Sequence, residues 1–225
     1  MKKNNFFLTG VAALLLISIN LLNNCFYKHY SHRNSVMKKI GLIAVFILAG
    51  TSLFAQTKWI VDKAHARIGF TVTHMMLSDI DGNFKTFDAS ITASKDDFSD
   101  GVFEINIDAT SINTDNESRD KVLRGDQYFD VAKYPQIKFI SSGIAKTADK
   151  KYKLSGNLTM HGVTKAITLD LILNGTSTSI RTHKPVAGFK VTGTINRKDF
   201  GIGSVPSAMV GDDIQLTANG EFGQQ

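Results

Sequence analysis

The 225-residue chain has a single cysteine, Cys25, and it lies upstream of everything that reads as folded domain. Neither a disulfide nor thiolate chemistry is therefore available to that domain. A domain of about 170 residues without disulfides is large enough to be held by its hydrophobic core alone. Excess charge is missing too. The whole chain is +6, but residues 1–55 hold six basic residues (Lys2, Lys3, Lys28, Arg33, Lys38 and Lys39) and no acid, leaving 20 of the 26 Lys and Arg against 20 Asp and Glu downstream. That balance removes the electrostatic argument for nucleic acid or an anionic membrane as a partner. No Gly-x-Ser-x-Gly elbow is present, because Gly203-Ser204-Val205-Pro206 lacks the second glycine. No phosphate-binding glycine loop precedes a helix, and no carboxylate pair stands out from surface charge. Catalytic residues, metal ligands and cofactors are accordingly not expected. The domain also lacks internal repeats.

The N-terminal quarter reads as targeting sequence. Residues 37–55 run Met37-Lys38-Lys39, then apolar Ile40 to Ala49, then small residues to Ala55. This is the order of a secretory signal peptide, and its apolar core is short for a membrane span. Cleavage after Ala55 leaves Gln56–Gln225, the size of one domain. Met1–Leu22 is a second leader-like stretch, and two export signals in tandem are redundant. This favours Met37 as the start and residues 1–36 as an upstream segment. Cys25 follows Leu22-Asn23-Asn24, whereas small residues are expected beside an acylated cysteine, which disfavours a lipoprotein. A periplasmic location is expected.

What is abundant downstream is alternation of period two, the mark of half-buried strands. It recurs eight times, over 66–74, 84–93, 102–110, 136–145, 151–160, 165–174, 187–196 and 213–222. Residues 151–160 alternate strictly, with Tyr152, Leu154, Gly156, Leu158 and Met160 against Lys151, Lys153, Ser155, Asn157 and Thr159. Asp81-Gly82-Asn83, Asp100-Gly101, Ser142-Gly143, His161-Gly162 and Asn174-Gly175 are read as turn signals in or beside the connections. His161-Gly162 has the right length for a two-residue hairpin. Short links imply antiparallel neighbours. The long connection over 112–135 has helix-compatible composition from Glu117 to Leu123, with Asn113, Thr114 and Asp115 as cap candidates. The expected fold class is all-β: an eight-stranded antiparallel barrel with a short helix in the 112–135 connection, closure removing the exposed edges.

Alternation alone leaves open which face points inward. A soluble barrel is favoured over an outer-membrane one. The apolar face includes small residues (Ala109, Gly156, Gly193, Ala218), aromatic girdles are not evident, and the 112–135 connection has an apolar stripe that could cover a barrel mouth.

A set of residues in order carries a family resemblance. It comprises Trp59 with Asp62 and His65, Phe70, Val72-Thr73-His74-Met75, Gly82 with Phe84, and Ser111 with Thr114. It continues with Arg119-Asp120, Leu123, Phe129-Asp130, Tyr134-Pro135 and Phe139, then Leu158 through Lys165, and Arg197 with Asp199-Phe200-Gly201-Ile202. With these, residues from about Trp59 to Phe222 resemble the YceI-like polyisoprenoid-binding proteins. The resemblance implies a lipocalin-like barrel holding a long isoprenoid or similar lipid, such as a fatty-acyl chain, in an apolar interior, with only transient membrane contact. It implies transport or storage rather than catalysis. The candidate lining is Phe70, Val72, Phe87, Ile105, Ile107, Leu123, Phe129, Phe139, Leu158, Met160, Leu169 and Val191. Without the resemblance, the same side chains read as a filled core. Two positions depart from the family pattern: Val122 stands where a histidine is frequent, and Ala66 where serine is frequent, which bears on head-group choice. An outer-membrane structural barrel and an enzyme acting on an isoprenoid are the alternatives, and a homodimer is left open.

The histidines carry little signal. His161 falls in the expected tight turn and His183 in a polar loop. His65 and His74 lie nine residues apart on one strand, about 30 Å if straight, too far to share a metal. Arg119-Asp120 and Arg197-Asp199 read as structural ion pairs, the alternative being that one arginine meets a lipid head group at the barrel mouth.

Overall fold

A computed structural model describes residues 56–225, and the leader segments and Cys25 lie outside the described residues. The strands are β1 (Thr57–His74), β2 (Ser78–Phe84), β3 (Phe87–Ala93), β4 (Val102–Asp108), β5 (Ile112–Asn113), β6 (Gln136–Ala148), β7 (Lys151–Met160), β8 (Val163–Thr178), β9 (Pro185–Asn196) and β10 (Val210–Gln224). The one α-helix among the described residues is α1 (Glu117–Arg124). Neighbours run β1-β3-β4-β6-β7-β8-β9-β10, and β10 pairs back with β1 from Trp59↔Gln224 to His74↔Val210. The ring is therefore closed, with eight antiparallel positions. The two extra strands are continuations: β2 carries on from β3 along the far half of β1, and β5 carries on from β4 to pair with β2.

Chain order and ring order nearly coincide because most connections are tight. His161 and Gly162 both have positive φ, 51° and 75°, as a type I′ turn requires. The β1–β2 turn is instead built from Met75, Met76 and Leu77, the two methionines at φ 52° and 58°. It carries no turn-type residue, so composition could not mark it. Three expected turn signals turn out to be strand features. Gly82 lies inside β2, where a Cβ would meet the Phe70 ring. Ser142-Gly143 and Asn174-Gly175 sit at β-bulges in β6 and β8. A bulge and a turn both use glycine, and only cross-strand pairing separates them.

The apolar face points inward. Phe139, Tyr152, Leu154, Leu171 and Phe189 are buried, while Lys138, Lys151, Lys153 and Lys190 face outward and are exposed. This is the inverse of a lipid-embedded barrel. The interior is filled by pairing large with small residues: Cβ atoms at Gly156 and Gly193 would run into Phe139 and Leu169.

Both ends of the barrel are covered. At one end the loop between β3 and β4 inserts Phe98, which is 1% exposed and packs edge-on against Trp59 and Phe189, each at 5.0 Å between centroids. The Tyr152 hydroxyl donates to Asp97 O at 2.6 Å and holds this loop. At the other end the 112–135 connection lays Leu123 and Phe129 on the core, Phe129 meeting Phe84 edge-on. The helix is capped by Asn116, whose side chain accepts from Arg119 N, and not by Asn113, Thr114 or Asp115. Beside it, Arg197 is 3% exposed. It donates to the carbonyls of Gly211, Ile202, Gly203, Val205 and Val210 and to Asp212. The pairings expected from adjacency do not form. Arg197 uses Asp212 rather than Asp199, and Arg119 and Asp120 both turn to Thr114. Neighbours in sequence point apart here, and the buried group takes the acceptors its own loop supplies.

Candidate functional site

β1 is one strand in chain order but makes two sets of partners. Thr57–Ile60 pairs with β3, and Ile68–His74 pairs with β2. Residues 61–67 have no partner strand on that side. On the other side a bulge between Val61 and Ala66 sets Asp62 to His65 against the single residue Glu221 of β10. A bulge of this kind bends the strand and breaks the ladder locally. It is held by its own side chains. Asp62 accepts from Ala64 N, and the His65 imidazole donates to Asp62 Oδ2, both at 3.0 Å. The hydrogen bond to His65 is the main reason Asp62 has a lowered pKa, and the same bond raises that of His65. The landmark residues Asp62 and His65 thus shape the wall.

Opposite the bulge, the corner between β2 and β3 turns away at Lys85-Thr86. Lys85 N donates to Ser111 O, and Thr86 N donates to Ser111 Oγ. An open cavity of about 440 Å³ lies between bulge and corner, lined by Lys63, Ala66, Arg67, Asn83, Phe84, Lys85, Thr86 and Phe87. Directly beneath it is an apolar slot of about 40 Å³, lined by residues including Val61, Ala66, Ile68, Phe87, Ala89, Ile105, Val191 and Phe222. Ala66 and Phe87 line both spaces.

The twelve candidate lining residues fall into three groups. Phe87, Ile105 and Val191 line the slot. Ile107, Phe139, Leu158, Met160 and Leu169 are buried in the filled part of the core. Phe70, Val72, Leu123 and Phe129 lie toward the end covered by α1, all half-buried. The slot holds no more than a few water-sized groups, so a long chain fits only if inner side chains move. Sequence reasoning missed Ala66, Ala89, Phe189 and Phe222 as lining and Phe98 as an end plug. It had no view of Lys63, Arg67 and Lys85. Small residues and surface cations have no pattern in the chain; the bulge brings them together.

No group of three or more His, Cys, Asp or Glu able to hold a metal occurs among the described residues. His161 serves its turn, donating from Nδ1 to Phe200 O at 3.1 Å and packing edge-on against Tyr134.

Comparison with known proteins adds independent information. The YceI-like domain model matches residues 59–222. A UPF0312 protein of Staphylococcus aureus is 33% identical over 172 residues, 74% of this chain and 98% of that protein. Among solved structures, a Campylobacter jejuni YCEI protein superposes with a TM-score of 0.62 at 33% identity, over 68% of this chain and 90% of that one. A polyisoprenoid binding domain from Saccharophagus degradans shares the fold, with a TM-score of 0.53 at 16% identity over 75% of this chain and 98% of that one.

Proposed function

The chain belongs to the YceI-like family, and on that premise we propose that it binds the hydrocarbon chain of an isoprenoid or fatty-acyl lipid non-covalently, carrying or storing it in the periplasm after export. The observation that carries this reading is the inner wall at the slot. Ile68, Ile105, Val191 and Ala218 face inward yet stay only half-buried, around a lining that is almost wholly apolar. Apolar surface left uncovered inside a barrel gains about 25 cal/mol per Å² when a chain covers it. A polyisoprenoid binding domain with this fold supports the choice of ligand class, and the pattern of residues 37–55 supports export.

A lipid taken from a membrane starts in an apolar medium, so chain burial alone supplies little net drive. Selectivity then falls to the shape of the slot and to polar groups at its mouth. The reading assigns no bond-making step to the protein.

Residues 56–225 close the ring by themselves, and an equivalent stretch makes up 98% of the S. aureus relative. The test is native mass spectrometry of Gln56–Gln225 prepared without detergent, with lipid extraction of the same sample. A stoichiometric mass increment that extracts as a prenyl or acyl lipid is expected. A bare polypeptide mass, unchanged after incubation with such lipids, would show that the interior is only a filled core.

A further inference from the structure

Apolar side chains are left uncovered together at one tip of the barrel. Met75, Met76 and Leu77 of the β1–β2 turn are 52%, 75% and 84% exposed, and Met209, on the loop before β10, is 51% exposed. These are three of the four methionines in residues 56–225, and the fourth, Met160, is buried. The two loops are joined: Met75 N donates to Met209 O at 2.9 Å. Leu77 N donates to His74 O at 3.0 Å, and Met209 N to Pro206 O at 2.9 Å. Arg197 fixes the second loop through the carbonyls of Ile202, Gly203, Val205 and Val210. Residues 73–78 and 200–211 contain no Asp, Glu, Lys or Arg, and His74 is their one titratable side chain. Lys198 and Asp212, which both reach Ser207, neutralise each other at 2.9 Å. Met75 and Met76 hold φ of 52° and 58°, a conformation that glycine or asparagine adopts more easily. Backbone strain is thus kept at a tip whose large apolar side chains stand in water.

We propose that this tip is a membrane-docking site: Met75, Met76, Leu77 and Met209 enter the interfacial layer of a phospholipid bilayer and hold the barrel reversibly at its surface. The patch itself selects this partner. Four side chains on two loops fall far short of the about 20–30 residues a side that a stable protein–protein interface uses, which argues against a second copy. A projecting turn offers no groove to a protein partner, whereas a fluid bilayer closes around it. No ion loses its water as the tip enters. The amides of Met75, Leu77 and Met209 already have acceptors within the protein, as backbone in an apolar medium requires. Methionine is flexible and polarisable, which suits a surface of no fixed shape. So few inserted groups give weak, reversible binding, as a single acyl chain does. The docking site goes beyond the lipid-binding reading and does not rest on it, since a bilayer holds the tip whatever the barrel contains.

The test is co-sedimentation of residues 56–225 with phosphatidylcholine vesicles and with mixed phosphatidylethanolamine and phosphatidylglycerol vesicles, for wild type and for the double variant Met76→Ser/Leu77→Ser. Both side chains are exposed, so the variant is expected to keep the wild-type melting curve. Wild type is expected to bind both kinds of vesicle, with little effect of salt, because no charge pair is formed. The variant should partition about 10- to 100-fold more weakly, as for withdrawing two partly inserted apolar side chains. Leu77→Trp gives a second readout. Trp59 is the only tryptophan of the chain and is buried, so emission from the introduced ring should shift to the blue when vesicles are added. Wild type that stays in the supernatant with both kinds of vesicle, or a double variant that sediments as wild type does, would overturn the proposal. So would a sedimenting Leu77→Trp protein whose emission does not shift, which would mean that another surface binds. Self-association of wild type that the double variant lacks would show a second copy on the tip and would overturn it too. None of these outcomes bears on whether the barrel holds a lipid, which the mass spectrometry above decides.

Discussion

Replacing Arg197 by methionine tests how the covered end of the barrel is held. The guanidinium is 3% exposed and donates to five carbonyls as well as Asp212. Methionine fills similar space without donating. The acceptors nearest solvent, on Val205, Val210 and Asp212, can turn to water, and Asp212 keeps Lys198 at 2.9 Å. The carbonyls of Ile202 and Gly203 belong to buried residues and cannot. Two buried acceptors left without donors cost about 1–3 kcal/mol each. A total loss of about 3–5 kcal/mol is expected, in line with removing one member of a buried charged network. For a domain of this size that is a fall in Tm of about 6–20 °C. The assay is thermal and urea unfolding of residues 56–225 followed by circular dichroism. Lys153→Met is the control. Its partner Asp170 is 2.7 Å away but both are exposed, and the expected change is within about 0.5 kcal/mol. If the two variants lost the same stability, the assignment of Arg197 as the pin of this loop would be refuted.

Three further outcomes follow from the geometry. Gly156→Ala should cost about 1–3 kcal/mol by overpacking, because the new Cβ would sit 2.5 Å from the Phe139 ring and 2.6 Å from Ile140 O; Gly193→Ala should cost less, since it meets mainly the movable tip of Leu169, and urea midpoints will rank them. Phe98→Ala should lose about 3–5 kcal/mol and raise binding of a fluorescent apolar dye by uncovering one end; unchanged dye binding would mean that Phe98 is not a plug. The third concerns pH. His65 has a raised folded pKa from its bond to Asp62, and Asp62 a lowered one from the same bond. The His65 contribution is complete below the ordinary histidine value of about 6.5 and fades as pH rises through the folded pKa, while that of Asp62 is present above about 3.9 and fades as pH falls through its folded value. The bulge is therefore held best between those limits. An NMR titration should place His65 above the ordinary value in wild type and return it toward that value in Asp62→Asn; identical titrations would break the link.

Much of this protein is written locally. Period-two alternation places strands because each residue alternately meets the core or water, and the expected segments overlap the eight positions of the ring. His161-Gly162 sets a hairpin because a two-residue link with positive φ has few alternatives. Other features depend on partners far away in sequence. Gly82, Gly143 and Gly175 look like turn glycines until cross-strand pairing shows them packed or bulged within strands. Arg197 looks like a partner for Asp199 until the loop it anchors brings Asp212 to it. The inward direction of the apolar face is a property of closure, since one alternating pattern serves a barrel of either polarity. The candidate site divides the same way. Alternation and resemblance marked an apolar lining, and three of its twelve members border the slot. The opening above that slot exists because a bulge in β1 faces a corner between β2 and β3, bringing Lys63 and Arg67 to Lys85. Periodicity records which face a residue takes, a local matter of backbone geometry. Which distant residues then share one gap in the wall is decided only when the ring closes.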